Sequence, residues 1–359
     1  MIHIVLGTKA QLIKMAPVMR ALNEIGVEYN FIMTGQHRST MREILDNFSL
    51  KGPDYRLYEG KDITSVRAMI IWVSRCLVKT IRDRKRIFKH DSDGIVLVHG
   101  DTFSTILGAL MAKISGLRVG HVESGLRSFR WFHPFPEELT RVITFWLSDY
   151  YFCPTNKEKA NLSKYDGEKI VTNANTLYDA LMVARSIGPE LDNGIPSNQF
   201  ALVTIHRFEN ISSKKSLTRV VDIVERIADS VPVVFVLHKP TDNKLISYNL
   251  KKKLINNPNI TVRERMDYFS FVKFIEASSF VVSDGGSNQE ECYYMGKPIL
   301  LLREATERFE GLGSNCVLSH YDERLIEDFV KNYDNYARKP LTLDVKPSEI
   351  IAHTCQRIS

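Results

Sequence analysis

The chain has 359 residues, 44% of them apolar and 25% charged, with a formal net charge of +6. That length favours two domains, each able to bury a core of its own. The composition is that of a soluble globular protein: no run of about 18 apolar residues supplies a spanning helix, and the charge is too modest for a dedicated nucleic-acid binder. Cys76, Cys153, Cys292, Cys316 and Cys355 are odd in number and lie far apart. They lack the spacing of a zinc site or a redox motif, so reduced and mostly buried thiols are expected, with no metal. Residues 1–6 run directly into Gly7 and read as a first strand, not a signal peptide, which predicts a cytoplasmic location.

From there the pattern is apolar run, glycine-containing turn, amphipathic helix, repeated. This predicts βα units around a parallel sheet. Gly7 and Thr8 lead into a helix with Ile13, Ala16, Val18 and Leu22 near helical spacing. Thr8 can cap it; Lys9 and Lys14 either hold an anion at its start or are simply solvated. Residues 29–33 form a second strand ending at Gly35, His37 and Arg38, on the carboxyl edge where open α/β sheets place ligands. Residues 65–88 form a long helix whose basic end reads as a solvated face that complements the helix dipole. Strand 95–98 runs into His99, Gly100 and Asp101; after a helix over 104–114, strand 118–122 ends at Glu123. One acid so placed is ordinarily a cap or a salt-bridge partner. Two, followed by Glu137 and Glu138, make a general acid/base cluster a candidate.

Residues 147–155 are expected to close the first sheet. Residues 184–199, rich in Gly, Pro and Asn, mark a linker-like shift, and the boundary is placed near residue 175, giving domains 1–174 and 175–344. In the second domain, strand 200–205 delivers His206 and Arg207, and strand 233–237 delivers His238 and Lys239. Two strand ends that each pair a histidine with a cation favour an anion-facing edge. An apolar strand then runs through Asp284 into Gly285, Gly286 and Ser287 and a polar helical segment that reaches Glu291. Glycines allow close approach, and a helix start offers unpaired N–H groups and a positive dipole end, so the stretch reads as a phosphate cradle. Taken alone, two adjacent glycines are more simply a plain strand-to-helix turn.

Gly7-Thr8 with Lys14-Met15-Ala16-Pro17, then residues 34–38, 99–102, 121–128, 134–138, 206–210, His238 with Pro240, 284–291, 296–298 and 303–308 form an ordered series. In order and spacing they resemble the signature blocks of the UDP-N-acetylglucosamine 2-epimerase family, over roughly the whole chain. The resemblance implies an α/β protein of two doubly wound, Rossmann-like domains facing across a cleft, a GT-B-like arrangement. The last helix, over 345–359, would pack back on the first domain. It also implies a nucleotide held mainly by the second domain: uracil near Phe271, ribose hydroxyls on Glu291, and diphosphate on Gly285, Gly286, Ser287 and Arg308. Asp101, Glu123, Glu137 and His206 match the family's catalytic set, and Lys9, Lys14, His37, Arg127 and His238 are expected at the substrate.

The reaction implied is inversion at C2 of a UDP-linked N-acetylated amino sugar by elimination of UDP and re-addition, serving surface-polysaccharide precursors and needing no metal or other cofactor. A hydrolysing variant that releases free sugar, or a glycosyltransferase built on the same nucleotide site, is the alternative. A homodimer is expected, with no nucleic-acid or membrane partner. Four departures from the family pattern stand out: Lys9 replaces an arginine, Ala10-Gln11 replace Pro-Glu, Gly285-Gly286-Ser287 replace Ser-Gly-Gly, and Asn288 stands where an aliphatic residue is common. They touch binding more than the acid/base set, since lysine lacks the bidentate geometry of arginine.

Overall fold

The computed structural model describes residues 1–36, 41–60, 63, 66–129, 136–187, 194–306 and 308–358. They fall into two compact units, Met1–Val183 with Leu343–Ser359, and Ala184–Thr342. Each is a parallel α/β sheet flanked by helices, as the βα pattern predicts.

In unit 1 the strands are β1 (Ile2–Leu6), β2 (Tyr29–Met33), β3 (Tyr55–Arg56), β4 (Ile95–His99), β5 (Arg118–Val122), β6 (Tyr150–Cys153) and β7 (Glu168–Val171). Their order is β3-β2-β1-β4-β5-β6-β7, every pair parallel. β1, β2 and β4 are buried at every position, which is what continuous apolar runs in a sheet covered on both faces require. The chain leaves β1 towards β2 on one side and returns to β4 on the other. The switch point therefore lies between β1 and β4, whose following segments carry Lys9 and Asp101.

Unit 2 contains β8 (Ala201–Thr204), β9 (Val233–Leu237), β10 (Ile260–Glu264), β11 (Phe280–Ser283), β12 (Ile299–Leu301) and β13 (Cys316–Leu318). The order β10-β9-β8-β11-β12-β13 puts the switch point between β8 and β11. There the register pairs Thr204 with Ser283, so the segments carrying His206 and Asp284 leave the sheet side by side. Val203, Phe235, Val282 and Leu300 form one core with Leu217, Val221 and Val224 of the helix Lys214–Ala228.

Two expectations need correction. The first sheet does not close at β6, because β7 pairs beyond it. The division between units falls inside the helix Leu177–Ile187 and not at 174/175. Residues 175–183 stay with unit 1 because Asn175 binds Glu123, the Tyr178 hydroxyl accepts the Leu343 N–H, and Asp179 accepts the Ser348 N–H. The helix Pro347–Ile358 packs against the helix Lys9–Glu24. None of the described helices is long and apolar enough to cross a membrane.

Candidate active site

At the carboxyl edge of unit 1, the turn after β5 holds Glu123 in the left-handed region, with φ 62°. A residue with a Cβ keeps that conformation only where its surroundings over-determine it. Those surroundings are donors. Lys14 Nζ bonds both carboxylate oxygens, at 2.8 and 2.9 Å; Asn175 Nδ2 donates to Oε1 at 2.6 Å; His99 Nε2 stands 3.3 Å from Oε2. Lys14 and Glu123 are only 5% and 9% exposed, so removing either partner would strand a buried charge. Gly125 completes the turn at φ 92°, where an added Cβ would meet the Glu158 carbonyl oxygen at 2.2 Å. Only glycine fits.

The Glu123 carboxylate lies over Gly100, 3.5 Å from where a Cβ would stand, and Asp101 is the next residue. Asp101 Oδ2 accepts from Arg141 Nη2 at 2.6 Å and from Nε at 2.9 Å. Arg141 belongs to the helix Glu137–Leu147. From the same helix Thr140 donates to the carbonyls of Asp101 and Glu137, which ties the first turn, and Glu137 with it, to the Asp101 loop. Glu137 Oε2 is buried and has no hydrogen-bond partner among the described residues.

Neighbouring charges serve the frame. Glu138, fully buried, accepts from Arg127 Nε at 2.5 Å and from the Ser128 N–H at 3.0 Å, with Arg141 Nη1 3.5 Å away. Burial would raise its carboxyl, but the Ser128 N–H and the guanidinium groups of Arg127 and Arg141 hold it below the usual range. Arg127, expected at the substrate, is thus an internal partner of Glu138. His121 is pushed down to about 4, chiefly by burial, and stays neutral. Its Nε2 bonds the Gly100 carbonyl at 2.8 Å and its Nδ1 pairs with Ser124 Oγ at 3.0 Å, which fixes the tautomer. Lys9 opens the helix Lys9–Glu24, capped by Thr8. Gln11 in its first turn accepts from the Gly7 N–H and donates to the His99 carbonyl, joining the β1 and β4 ends. His37, Pro134 and Phe135 lie outside the described residues.

In unit 2, Asp284 is fully buried and accepts from the N–H groups of His206 and Arg207 and from Asn210 Nδ2, at 2.9–3.1 Å. Its Oδ1 is 3.3 Å from His206 Nδ1. The His206 ring stacks on His238, with 4.6 Å between centroids. Loss of solvation lowers the His206 imidazole below its ordinary value, with Asp284 opposing and Arg207 and Arg265 adding to the fall. The side chain keeps 38% of its exposure, so water screens much of this effect.

Gly285 caps the helix Gly286–Met295. A Cβ on Gly285 would come within 3.0 Å of His206 Cε1, and one on Gly286 within 2.9 Å of Arg308 Nε. The imidazole and the guanidinium therefore flank the helix start, close to backbone that only glycine leaves open. Arg308 Nη1 is itself paired with Glu290 at 2.6 Å. Ser287 is exposed on the first turn, and Glu291, one turn on, accepts from Asn288 Nδ2 at 2.9 Å. Phe271 lies on the helix Tyr268–Ala277, whose first residue carries a phenol pushed well above its ordinary value by burial and by the Glu291 carboxylate beside it. No group of side chains suited to a metal ion occurs among the described residues.

The sequence model of the UDP-N-acetylglucosamine 2-epimerase family matches residues 20–343. The chain belongs to that family. It is 34% identical over 339 residues to the UDP-N-acetylglucosamine 2-epimerase of Bacillus subtilis, covering 91% of this chain and 85% of that one. Crystal structures of the enzymes from Neisseria meningitidis, bound to UDP-GlcNAc, and Methanocaldococcus jannaschii, in complex with UDP-GlcNAc and UDP, superpose with TM-scores of 0.83 and 0.82. Their identities are 28% and 27%, and each match covers 99% of both chains. The fold of two parallel α/β domains is shared, and the activity class is that of an epimerase.

For this family member the sequence reading had located the acids and the glycine loop but missed several of their partners. Arg141 carried a signal for Glu138, which it follows by three residues on the same helix face, but none for Asp101, 40 residues away. Asn175 carried none, being 52 residues from Glu123 in the chain.

Proposed function

We propose that the protein inverts C2 of a UDP-linked N-acetylated amino sugar, UDP-N-acetylglucosamine or its C2 epimer, by eliminating UDP and adding it back. C2 has no neighbouring carbonyl, so its proton is not acidic enough for simple abstraction; loss of UDP makes that proton removable. Inversion then requires an acceptor on one face and a donor on the other, hence at least two acid/base groups. Unit 1 supplies Glu137, with an oxygen free to accept among the described residues, beside Asp101 and Glu123. Unit 2 supplies the place for the leaving group: His206 and Arg308 beside Gly285 and Gly286 at a helix start stabilise the departing diphosphate.

The observation that carries the reading is that flanked glycine loop. It fits a diphosphate, the group that departs in an elimination. Ser287 is available to a phosphate oxygen, Glu291 to the ribose, and Phe271 to the uracil. Lys9, Lys14 and His238 add positive or hydrogen-bonding groups. Arg127, oriented by Glu138, and His37 are assigned to the substrate as well. We place the enzyme in the cytoplasm, where its five buried thiols persist, and its product in surface-polysaccharide supply. We also propose a homodimer. The helices Val66–Ile87 and Glu137–Leu147 both pack on Phe103–Ile114, and they turn Ile70, Ile71, Val78 and Ile81, and Leu139, Ile143 and Trp146, outwards. An apolar surface on two neighbouring helices is suited to a second copy.

Incubation with UDP-N-acetylglucosamine and resolution of the products by NMR tests the reaction. A UDP-linked C2 epimer is expected. Free sugar with UDP would replace re-addition by hydrolysis, and an unchanged nucleotide sugar would remove the reading.

A further inference from the structure

We infer that Asn288 is a positioning residue that orders the Glu291 carboxylate for a ribose diol, and that Gly285 is glycine in part to make room for it. This rests on the reading of the Gly285 loop as a nucleotide cradle.

A directional chain of hydrogen bonds runs through the loop. The Gly285 N–H donates to Ser283 Oγ at 3.0 Å. Ser283 Oγ donates to Asn288 Oδ1 at 2.9 Å. Asn288 Nδ2 donates to Glu291 Oε2 at 2.9 Å. Each step fixes the next: with its lone pair engaged by Gly285, the serine hydroxyl gives its proton to the amide oxygen. The amide N–H₂ is thereby turned towards the carboxylate. Ser283 is fully buried and Glu291 is 3% exposed, so this order is sheltered from competing water.

The side chain of Asn288 reaches back across the turn. A Cβ on Gly285 would stand 2.7 Å from Asn288 Oδ1, closer than atoms can approach. Any other residue at 285 therefore displaces the amide, and with it the bond to Glu291. On its far side the carboxylate faces the Tyr268 phenol, which burial keeps protonated. The Asn288 amide thus holds one carboxylate rotamer of Glu291 beside the buried Tyr268 phenol, and it is this fixed carboxylate that meets the hydroxyl groups. A carboxylate fixed in this way distinguishes a ribonucleotide from its 2′-deoxy analogue, because a missing hydroxyl leaves a buried acceptor unpaired.

The test is calorimetric titration of the full-length protein with UDP and with 2′-deoxyuridine diphosphate. Wild type is expected to prefer UDP by about tenfold or more. Asn288→Asp keeps the acceptor for Ser283 and loses the donor; Asn288→Ala loses both. Each should weaken UDP while leaving the deoxy analogue nearly unchanged, so that the preference collapses. In Gly285→Ala the preference should also fall, and adding Asn288→Ala should cost little more, since both changes break one bond. Equal weakening of both nucleotides by Asn288→Ala would make the residue merely structural and overturn the inference. Wild type that binds both equally would overturn it while sparing the cradle. Wild type that binds neither would sink the cradle and the inference together.

Discussion

Glu123 shows how much of this site is electrostatic framing. Its left-handed backbone and its two donors, Lys14 and Asn175, hold a buried carboxylate where sequence reading sees only an acid after a strand. Two substitutions separate chemistry from frame. Glu123→Gln is expected to lower turnover by roughly 10²-fold or more while UDP affinity holds. Glu123→Gln and Lys14→Met each strand one buried charge of the Lys14–Glu123 pair and should destabilise the fold by about 3 kcal/mol, whereas only Glu123→Gln removes the carboxylate proposed for the chemistry. Turnover, UDP titration and denaturant melts of both variants read the difference.

His206 gives a proton-linked outcome. Its imidazole is held below the ordinary histidine value, first by burial, so near pH 6.5 it is mostly neutral in the free protein. A bound diphosphate adds negative charge beside the ring and raises its proton affinity, so UDP binding should take up protons as the neutral ring becomes charged. Calorimetry in buffers of different ionisation enthalpy should show that uptake in wild type and not in His206→Asn. Equal uptake in both would place the proton elsewhere.

At the scale of elements, the periodic pattern was legible because it is local. Strand 29–33 and the helix expected over 65–88 reappear as Tyr29–Met33 and Val66–Ile87. The glycine loop was legible as strand, turn and helix start. What it touches was not: His206 and Asp284 meet only because β8 and β11 are neighbours, and Arg308 nears Gly286 from the segment after β12, on the other side of β11, in a sheet whose order is set by tertiary packing. The same limit explains Arg127, whose pairing with Glu138 across a turn no local pattern announces. The outward face of Val66–Ile87 carries an apolar stripe besides its basic end, and the proposed dimer rests on it. Val78 is 65% exposed there. Val78→Lys is expected to shift the protein from dimer to monomer in light scattering at micromolar concentration without lowering its melting temperature by more than a few degrees. A wild-type monomer would contradict the dimer.

Across the whole molecule, the last helix returns to the first unit through Asp179, which accepts the Ser348 N–H at 2.7 Å. A sequence boundary drawn from composition alone missed this tie, because the stretch 184–199 announces a linker but not which helix stays behind. Burial pushes the Asp179 carboxyl up to about 6, against the Ser348 bond and Lys346. A carboxyl whose folded value is raised stabilises the fold below its unfolded value and loses that contribution as pH climbs through the folded one. Wild type should therefore lose about 2–3 kcal/mol between pH 4 and 6 from this group. Asp179→Asn keeps an acceptor for Ser348, and should flatten that slope and be the more stable form at pH 7. Urea melts across the range would show parallel curves if the linkage were absent.

The most direct measurement is incubation with UDP-N-acetylglucosamine in deuterated water, with C2 followed by NMR. Deuterium at C2 in both epimers, lost in Glu123→Gln while UDP still binds, is the expected result. Epimers that form without solvent deuterium at C2, or no exchange at C2 across a panel of UDP-linked N-acetylated sugars, would contradict it.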